Sequence, residues 1–453
     1  MQTIVNKTFE EISLGDVASV DRALQASDLR AFAAAFGDAD LLGASDAGQG
    51  ASGIVTAIMT GLVATALPGP GSLVLATSLW IKGALPIGEP MTTQLVVREK
   101  LADLGVIKLD GQCADASGRI VAKAMLEVQV PTTRQQRQLP EHRLEGLFQR
   151  CRSLKPMLMG VVHPCSLEAL AGAVDAAKAG LIKPVLFGPP DEIRRIAEVG
   201  RLDVASFHFV AADSPEDSAL KAAMAAGAGD VGALMKGSLH SDVLLHAVMQ
   251  KETKLRIGRL ISHCAMVSAP TYARRFVITD VALNIAPDTE QKRDICQNAI
   301  GFARALGIET PKVAVLAAVE MVRTKMAASL DGAILAKMAD RRQIVGGVVD
   351  GPLDLDAAVD ASAARIKKIS SPVAGLADVL IVPNIEAGNM VYKNLAFMAD
   401  AQTAGLVIGA RAPIILTSRA DSAASRCFSA AAAVLYADAL KRDPTILQPE
   451  IAE

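Results

Sequence analysis

The chain has few aromatic residues: one Trp, three Tyr and eleven Phe in 453, or 3%. Platforms that stack single-stranded bases need aromatic side chains, so that role starts without its main component. Charge of one sign is also missing. Forty-six Lys and Arg stand against 48 Asp and Glu, a formal net charge of −2, which leaves no basic field to hold a polyanion. No nucleic-acid partner is expected. The six cysteines (113, 151, 165, 264, 296 and 427) never form a C-x-x-C pair. Their scatter suggests neither a disulfide framework nor a zinc site, and it fits a reducing cytoplasm. Long apolar runs are absent as well. The uncharged stretch 47–81 is cut by Pro68-Gly69-Pro70-Gly71, and residues 53–67 fall short of the roughly 20 that span a bilayer. The opening MQTIVNKTFEEISLGD carries no apolar h-region, so no signal peptide and no membrane partner are expected.

What the chain does have is apolar content, 51%, ample for real cores at roughly 100–200 residues per domain. The pattern changes near residue 131. Before it, one apolar helix at 53–67 is followed by alternating runs at 72–81, 91–99, 105–114 and 120–130, as in half-buried antiparallel strands. Residues 131–152 are polar, rich in Arg and Gln, and read as a linker leading into a short amphipathic helix. After residue 155, short apolar runs alternate with helical patterns at 166–180, 288–307, 355–369 and 422–441. That alternation predicts α/β architecture, a largely parallel sheet, and two subdomains with a cleft between them.

Several motifs fail. Gly227-Ala228-Gly229-Asp230-Val231-Gly232 matches G-x-G-x-x-G, but a helical pattern precedes it and a strand follows, the reverse of a dinucleotide site. There is no P-loop, no G-x-S-x-G and no H-E-x-x-H, and the six histidines show no ligand spacing. No metal site is expected.

The remaining candidates sit in loops after the C-terminal strand patterns. Asn384 and Asn389 lie in PNIEAGN (383–389), ahead of Tyr392 and Lys393; Ser418, Arg419 and Asp421 follow the strand at 413–417. Thr279, Asp280 and Asn284 end a third strand, and Lys236, His240 and Ser241 a fourth. In open α/β sheets, ligands bind outside the carboxyl ends of strands, and this set of cations, hydroxyls, amides and helix starts suits phosphate. Each has a plainer reading. Asp421 or Ser422 caps the next helix, Ser418 and the asparagines serve turns, Arg419 makes a surface ion pair, and His240 is a loop or capping residue.

From about residue 153 the sequence resembles the phosphate acetyltransferase/phosphate butyryltransferase family through ITDVALNIAP (278–287), KVAVLAAVE (312–320), GVVDGPLDLDAAV (347–359), SPVAG (371–375), VLIVPNIEAGNMVYK (379–393) and PIILTSRADS (413–422). The resemblance implies the reaction acyl-CoA + phosphate ⇌ acyl phosphate + CoA, with CoA as substrate and no metal or redox cofactor. The SRADS wording is closer to the butyryl branch. Such chemistry needs a base, an oxyanion stabiliser and a phosphate cradle. Arg419 suits the electrophilic role because its forked donors hold phosphoryl oxygens and the developing oxyanion. Ser418 is placed to hydrogen-bond the thiol or the carbonyl oxygen, and Asp421 to act as base or to orient Arg419. In the acetyl branch the proposed base is an Asp further along, aligned here with Ser425.

Residues 1–130 resemble a MaoC-like hot-dog domain of the (R)-specific enoyl-CoA hydratase type, through FEEISLGD (9–16), Phe36-Gly37-Asp38, LPGPGS (67–72) and Pro86-Ile87-Gly88-Glu89. The family pattern G-D-x-N-P-x-H reads here Gly37-Asp38-Ala39-Asp40-Leu41-Leu42-Gly43. Asp38 is kept as a remnant, whereas Gly43 stands where the His belongs. The expectation is an α+β hot-dog domain at 1–130, a linker at 131–152, and a two-lobed α/β transferase domain with a mainly parallel sheet at 153–453. Both resemblances imply a homo-oligomer. The rival expectations are a bifunctional hydratase/transferase and a non-catalytic CoA- or acyl-phosphate-binding protein.

Overall fold

The computed structural model describes residues 2–24, 28–29, 32–33, 35, 51–139, 144–416 and 422–447. The chain divides into two compact units, Met1–Glu141 and His142–Glu453.

In the first unit, β1 (Gln2–Val5) precedes β2 (Val17–Ala23), β3 (Leu73–Ile81), β4 (Pro90–Leu101), β5 (Val106–Asp115) and β6 (Ile120–Gln129). Strands β2 to β6 form an antiparallel sheet in the order β2-β4-β5-β6-β3. The alternation read from the sequence is the cause: Leu95, Val97, Leu109 and Leu126 point inward and are buried. They meet α1 (Ala51–Thr65), which buries Val55, Met59, Leu62 and Val63 in the same core. Those positions recur at i, i+4 and i+7/i+8, the apolar stripe of a helix. Each fully buried side chain contributes about 1.5–3 kcal/mol.

Residues 131–152 are divided between the units. Strand β7 (Gln136–Leu139) pairs antiparallel with β1, while α2 (Gly146–Cys151) buries Leu147 and Cys151 in the second unit's core. The short amphipathic helix expected at the end of this stretch is α2, whereas the polar composition hid β7, which needs only backbone groups to pair.

The second unit carries β8 (Met157–Val162), β9 (Ile182–Gly188), β10 (His208–Ala211), β11 (Ala233–Lys236), β12 (Ser262–Ser268), β13 (Phe276–Thr279), β14 (Lys312–Leu316), β15 (Val348–Leu353), β16 (Val379–Ile381), β17 (Gln402–Ile408) and β18 (Ile414–Ile415). Among the described residues these make one eleven-stranded sheet, ordered β10-β9-β8-β11-β18-β17-β12-β13-β16-β14-β15. Pairing is parallel from β10 to β18 and again from β13 to β15. The junction β18-β17-β12-β13 is antiparallel. Strand–helix alternation forecast a largely parallel sheet, and most of the pairing is parallel. The antiparallel centre that joins the two parallel blocks into a single sheet was not forecast.

Three local expectations change. Strand β17 has no counterpart in the sequence reading, because Ala404-Gly405 interrupts its β-branched character. The apolar run that begins at Ile344 becomes a strand only from Val348, since Gly346 takes a left-handed φ of 84°. The helix expected over 355–369 is two short ones, Leu355–Val359 and Ala361–Ile366, because Asp360 is extended and caps the second.

The rejected glycine motif has a structural explanation. Gly227 lies in the helix Pro215–Ala228 that precedes β11, and a Cβ there would stand 1.6 Å from the Thr253 carbonyl oxygen. Gly229 ends that helix at φ 88°. Gly227→Ala is therefore expected to destabilise the unit by at least ~1–3 kcal/mol, read as a drop of several degrees in Tm; a melting curve that overlays the wild type would refute the close approach.

Candidate active site

Strand direction sorts the candidate residues onto two edges of the sheet. Strands β11 and β18 run parallel, with Met235 opposite Ile415. The two antiparallel steps through β17 and β12, and a third into β13, reverse the direction of the β13 block. The carboxyl ends of β11 and β18 thus share one edge, and those of β13 and β16 lie on the other. Loops that looked equivalent along the sequence are separated by topology.

On the β13 edge the side chains hold loops together. Asp280 is buried, and its Oδ1 accepts from the Ala282 and Leu283 N–H groups at 2.9 and 3.0 Å. Asn284 Nδ2 donates to Asp280 Oδ2 at 2.6 Å and to the Ile261 carbonyl at 2.9 Å. Asn384 caps α3 (Ile385–Phe397), accepting from Ala387 N–H at 2.9 Å. Asn389 Nδ2 donates to the Val281 carbonyl at 3.0 Å. Thr279 is fully buried against Cys264 Sγ, 3.4 Å away. Gly388 brings the two loops together, since a Cβ there would lie 2.6 Å from the Asp280 carbonyl oxygen. Four of these five polar side chains thus bond main-chain groups, as turn and cap residues do.

On the β11 edge, Lys236 Nζ donates to the Leu239 carbonyl at 3.2 Å. His240 is exposed at the start of α4 (Ser241–Val248) and makes no side-chain cap bond. Lys393 comes near this edge because α3 runs back antiparallel to β16; its ammonium lies 5.3 Å from the Phe397 ring centre and 5.7 Å from that of Tyr392. Ser418, Arg419 and Asp421 follow β18 and lie outside the described residues, as does Asp38 in the first unit. The helix after them, α5 (Ala423–Arg442), is capped by Ser422, whose Oγ accepts from Ser425 N–H at 3.1 Å. Of Asp421 and Ser422, the two residues expected at this cap, Ser422 is the one the described residues place there.

A chain of hydroxyls escaped the sequence reading. Tyr392 Oη donates to Thr403 Oγ1 at 3.4 Å, and Thr403 Oγ1 to Ser425 Oγ at 3.3 Å. Ser422 Oγ donates to Ser425 Oγ at 3.1 Å. No sequence spacing announces contacts between positions 392, 403 and 425. His163 was also passed over. It ends β8 on the same edge with φ 53°, its Nδ1 3.1 Å from Ser218 Oγ, and burial holds its pKa below the usual value. Thiol nucleophiles are disfavoured: burial pushes Cys151 and Cys427 up to about 11, and Cys165, Cys264 and Cys296 up to about 12.

Residues 153–434 match the family model described as phosphate acetyl/butaryl transferase. The chain belongs to this family. It is 48% identical over 293 residues to a phosphate acetyltransferase of Rhizobium meliloti, spanning 65% of this chain and 93% of that protein. A phosphate butyryltransferase of Clostridium acetobutylicum is 43% identical over 263 residues, 58% of this chain and 87% of its own. The crystal structure of a branched-chain phosphotransacylase from Enterococcus faecalis superimposes with a TM-score of 0.56 at 29% identity, covering 62% of this chain and 99% of that one. Family membership makes the second unit an acyltransferase; the first unit lies outside the matched residues. No helix among the described residues is long and apolar enough to cross a membrane.

Proposed function

We propose that the second unit transfers an acyl group between CoA and phosphate at the edge where β11 and β18 end. The observation that carries this reading is the family match over 153–434, with PIILTSRADS running from β18 to the cap of α5. Arg419 grips phosphoryl oxygens and the developing oxyanion, Ser418 hydrogen-bonds the thiol or carbonyl oxygen, and Asp421 serves as base or holds Arg419. Lys236, His240, Ser241 and Lys393 border the substrates. Thr279, Asp280, Asn284, Asn384 and Asn389 support the opposite edge. The two parallel strand blocks are the two lobes.

The first unit we read as a hot-dog domain of the hydratase type that binds CoA thioesters or mediates assembly. Its antiparallel sheet with α1 against one face supports this. The edge strand β3 (LVLATSLWI) is uncharged and leaves Leu73, Leu75 and Trp80 exposed. Such an edge invites pairing, which favours a homo-oligomer. The reducing-compartment reading places the enzyme in the cytoplasm, where all six thiols stay free.

The test is thiol release from acetyl-, propionyl- and butyryl-CoA in the presence of phosphate. Release that requires phosphate is expected with at least one, and the ranking gives the acyl preference. Binding of acyl-CoA without turnover of any would replace this reading with a sensor.

A further inference from the structure

Strand β18 is two residues long and pairs with β17 only at Val407 opposite Ile414. In that antiparallel register Leu416 stands opposite Gly405 but outside the strand, so among the described residues the Gly405 N–H has no ladder partner on that side. A buried backbone N–H left there without a partner would cost about 1–3 kcal/mol. The partner comes from α5: Gly405 N–H donates to Ser429 Oγ at 3.0 Å, and Ser429 Oγ in turn donates to the Ser425 carbonyl at 2.9 Å. One turn earlier, Ser425 Oγ accepts from Thr403 Oγ1, which accepts from Tyr392 Oη. Serines at i and i+4 on one helix face thus meet alternate residues, 403 and 405, on one strand face. Thr403 and Ser429 are buried, and Ser425 is half-buried at the rim.

We infer that Ser425, Ser429 and Thr403 are positioning residues that lock the first turns of α5 to β17. The inference rests on the transferase reading of the Ser418–Asp421 segment, which joins α5 at Ser422. Fixing that turn fixes one end of the segment. The tie through Tyr392 sets α3 against the same strand.

The experiment is a double-mutant cycle on the full chain. Ser425→Ala and Thr403→Val are each expected to lower kcat about 10–100-fold, as a displacement near 1 Å does, with KM changed less than three-fold. The double variant should be no worse than the poorer single, and Ser425→Thr should recover most of the rate. Amide hydrogen exchange over residues 404–430 supplies a readout independent of turnover, and it should accelerate in Ser425→Ala. Wild-type kcat together with unchanged exchange, or losses that simply multiply in the double variant, would overturn the inference. If the wild-type chain turns over no acyl-CoA, the transferase reading falls, and the exchange measurement alone decides whether the hydroxyls lock the helix.

Discussion

Arg419→Ala is expected to lower the rate of CoA acylation from acyl phosphate by at least ~10²–10³-fold while the melting temperature stays where it was. That magnitude is what removal of one preorganised oxyanion donor costs, and a guanidinium that also grips phosphate has two ways to matter. Arg419→Lys keeps the charge but loses the fork, so it is expected to recover only part of the rate. Stability should be indifferent, because the burial around α5 begins at Phe428 and the cap is Ser422. Near-wild-type turnover by Arg419→Ala would remove Arg419 from the reaction and with it the proposed phosphate cradle.

The second large effect concerns the first unit. The full chain is expected to hydrate crotonyl-CoA at least ~10²–10⁴-fold more slowly than an intact (R)-specific hydratase, since one positioned acid or base contributes that much. Gly43 offers no side chain to share the activation of water with Asp38, and no histidine falls within the first 141 residues. Hydration at an ordinary rate would revive the bifunctional reading and require another residue to take the proton. Failure to hydrate, combined with retention of the CoA thioester, is the outcome the binding role requires.

The extent to which the chain could be read in advance differs by element. The strands at 91–99, 105–114 and 120–130 were legible because one face of an antiparallel sheet is dry and the other wet, which writes a period of two into the sequence. The helix at 422–441 was legible for a similar reason, with a polar start and an apolar run that buries Phe428 to Leu440. Strand β17 was not, because a central strand is covered on both faces and Gly405 has no side chain to declare its state. Strand β7 was hidden in a run of Arg and Gln that pairs through its backbone alone.

The candidate site divides along the same line. Residue chemistry at Ser418, Arg419 and Asp421 and the family wording around them are properties of the string, and so is the loss of the histidine at Gly43. Asp280, Asn284, Asn384 and Asn389 carry the same chemistry, yet the structure gives their hydrogen bonds to loops on the far edge. The reason is direction. A local sequence specifies that a strand ends and a polar loop follows, and it does not specify which way that strand runs relative to one a hundred residues away. The scarcity of aromatics, the mixed charge, the interrupted apolar stretch at 47–81 and the scattered thiols were enough to turn the reading away from nucleic acid, membrane and disulfide chemistry. The antiparallel junction at β17 and β12 and the serines of α5 that bond β17 arise only when segments distant in sequence meet, because each satisfies a hydrogen bond that another segment leaves open.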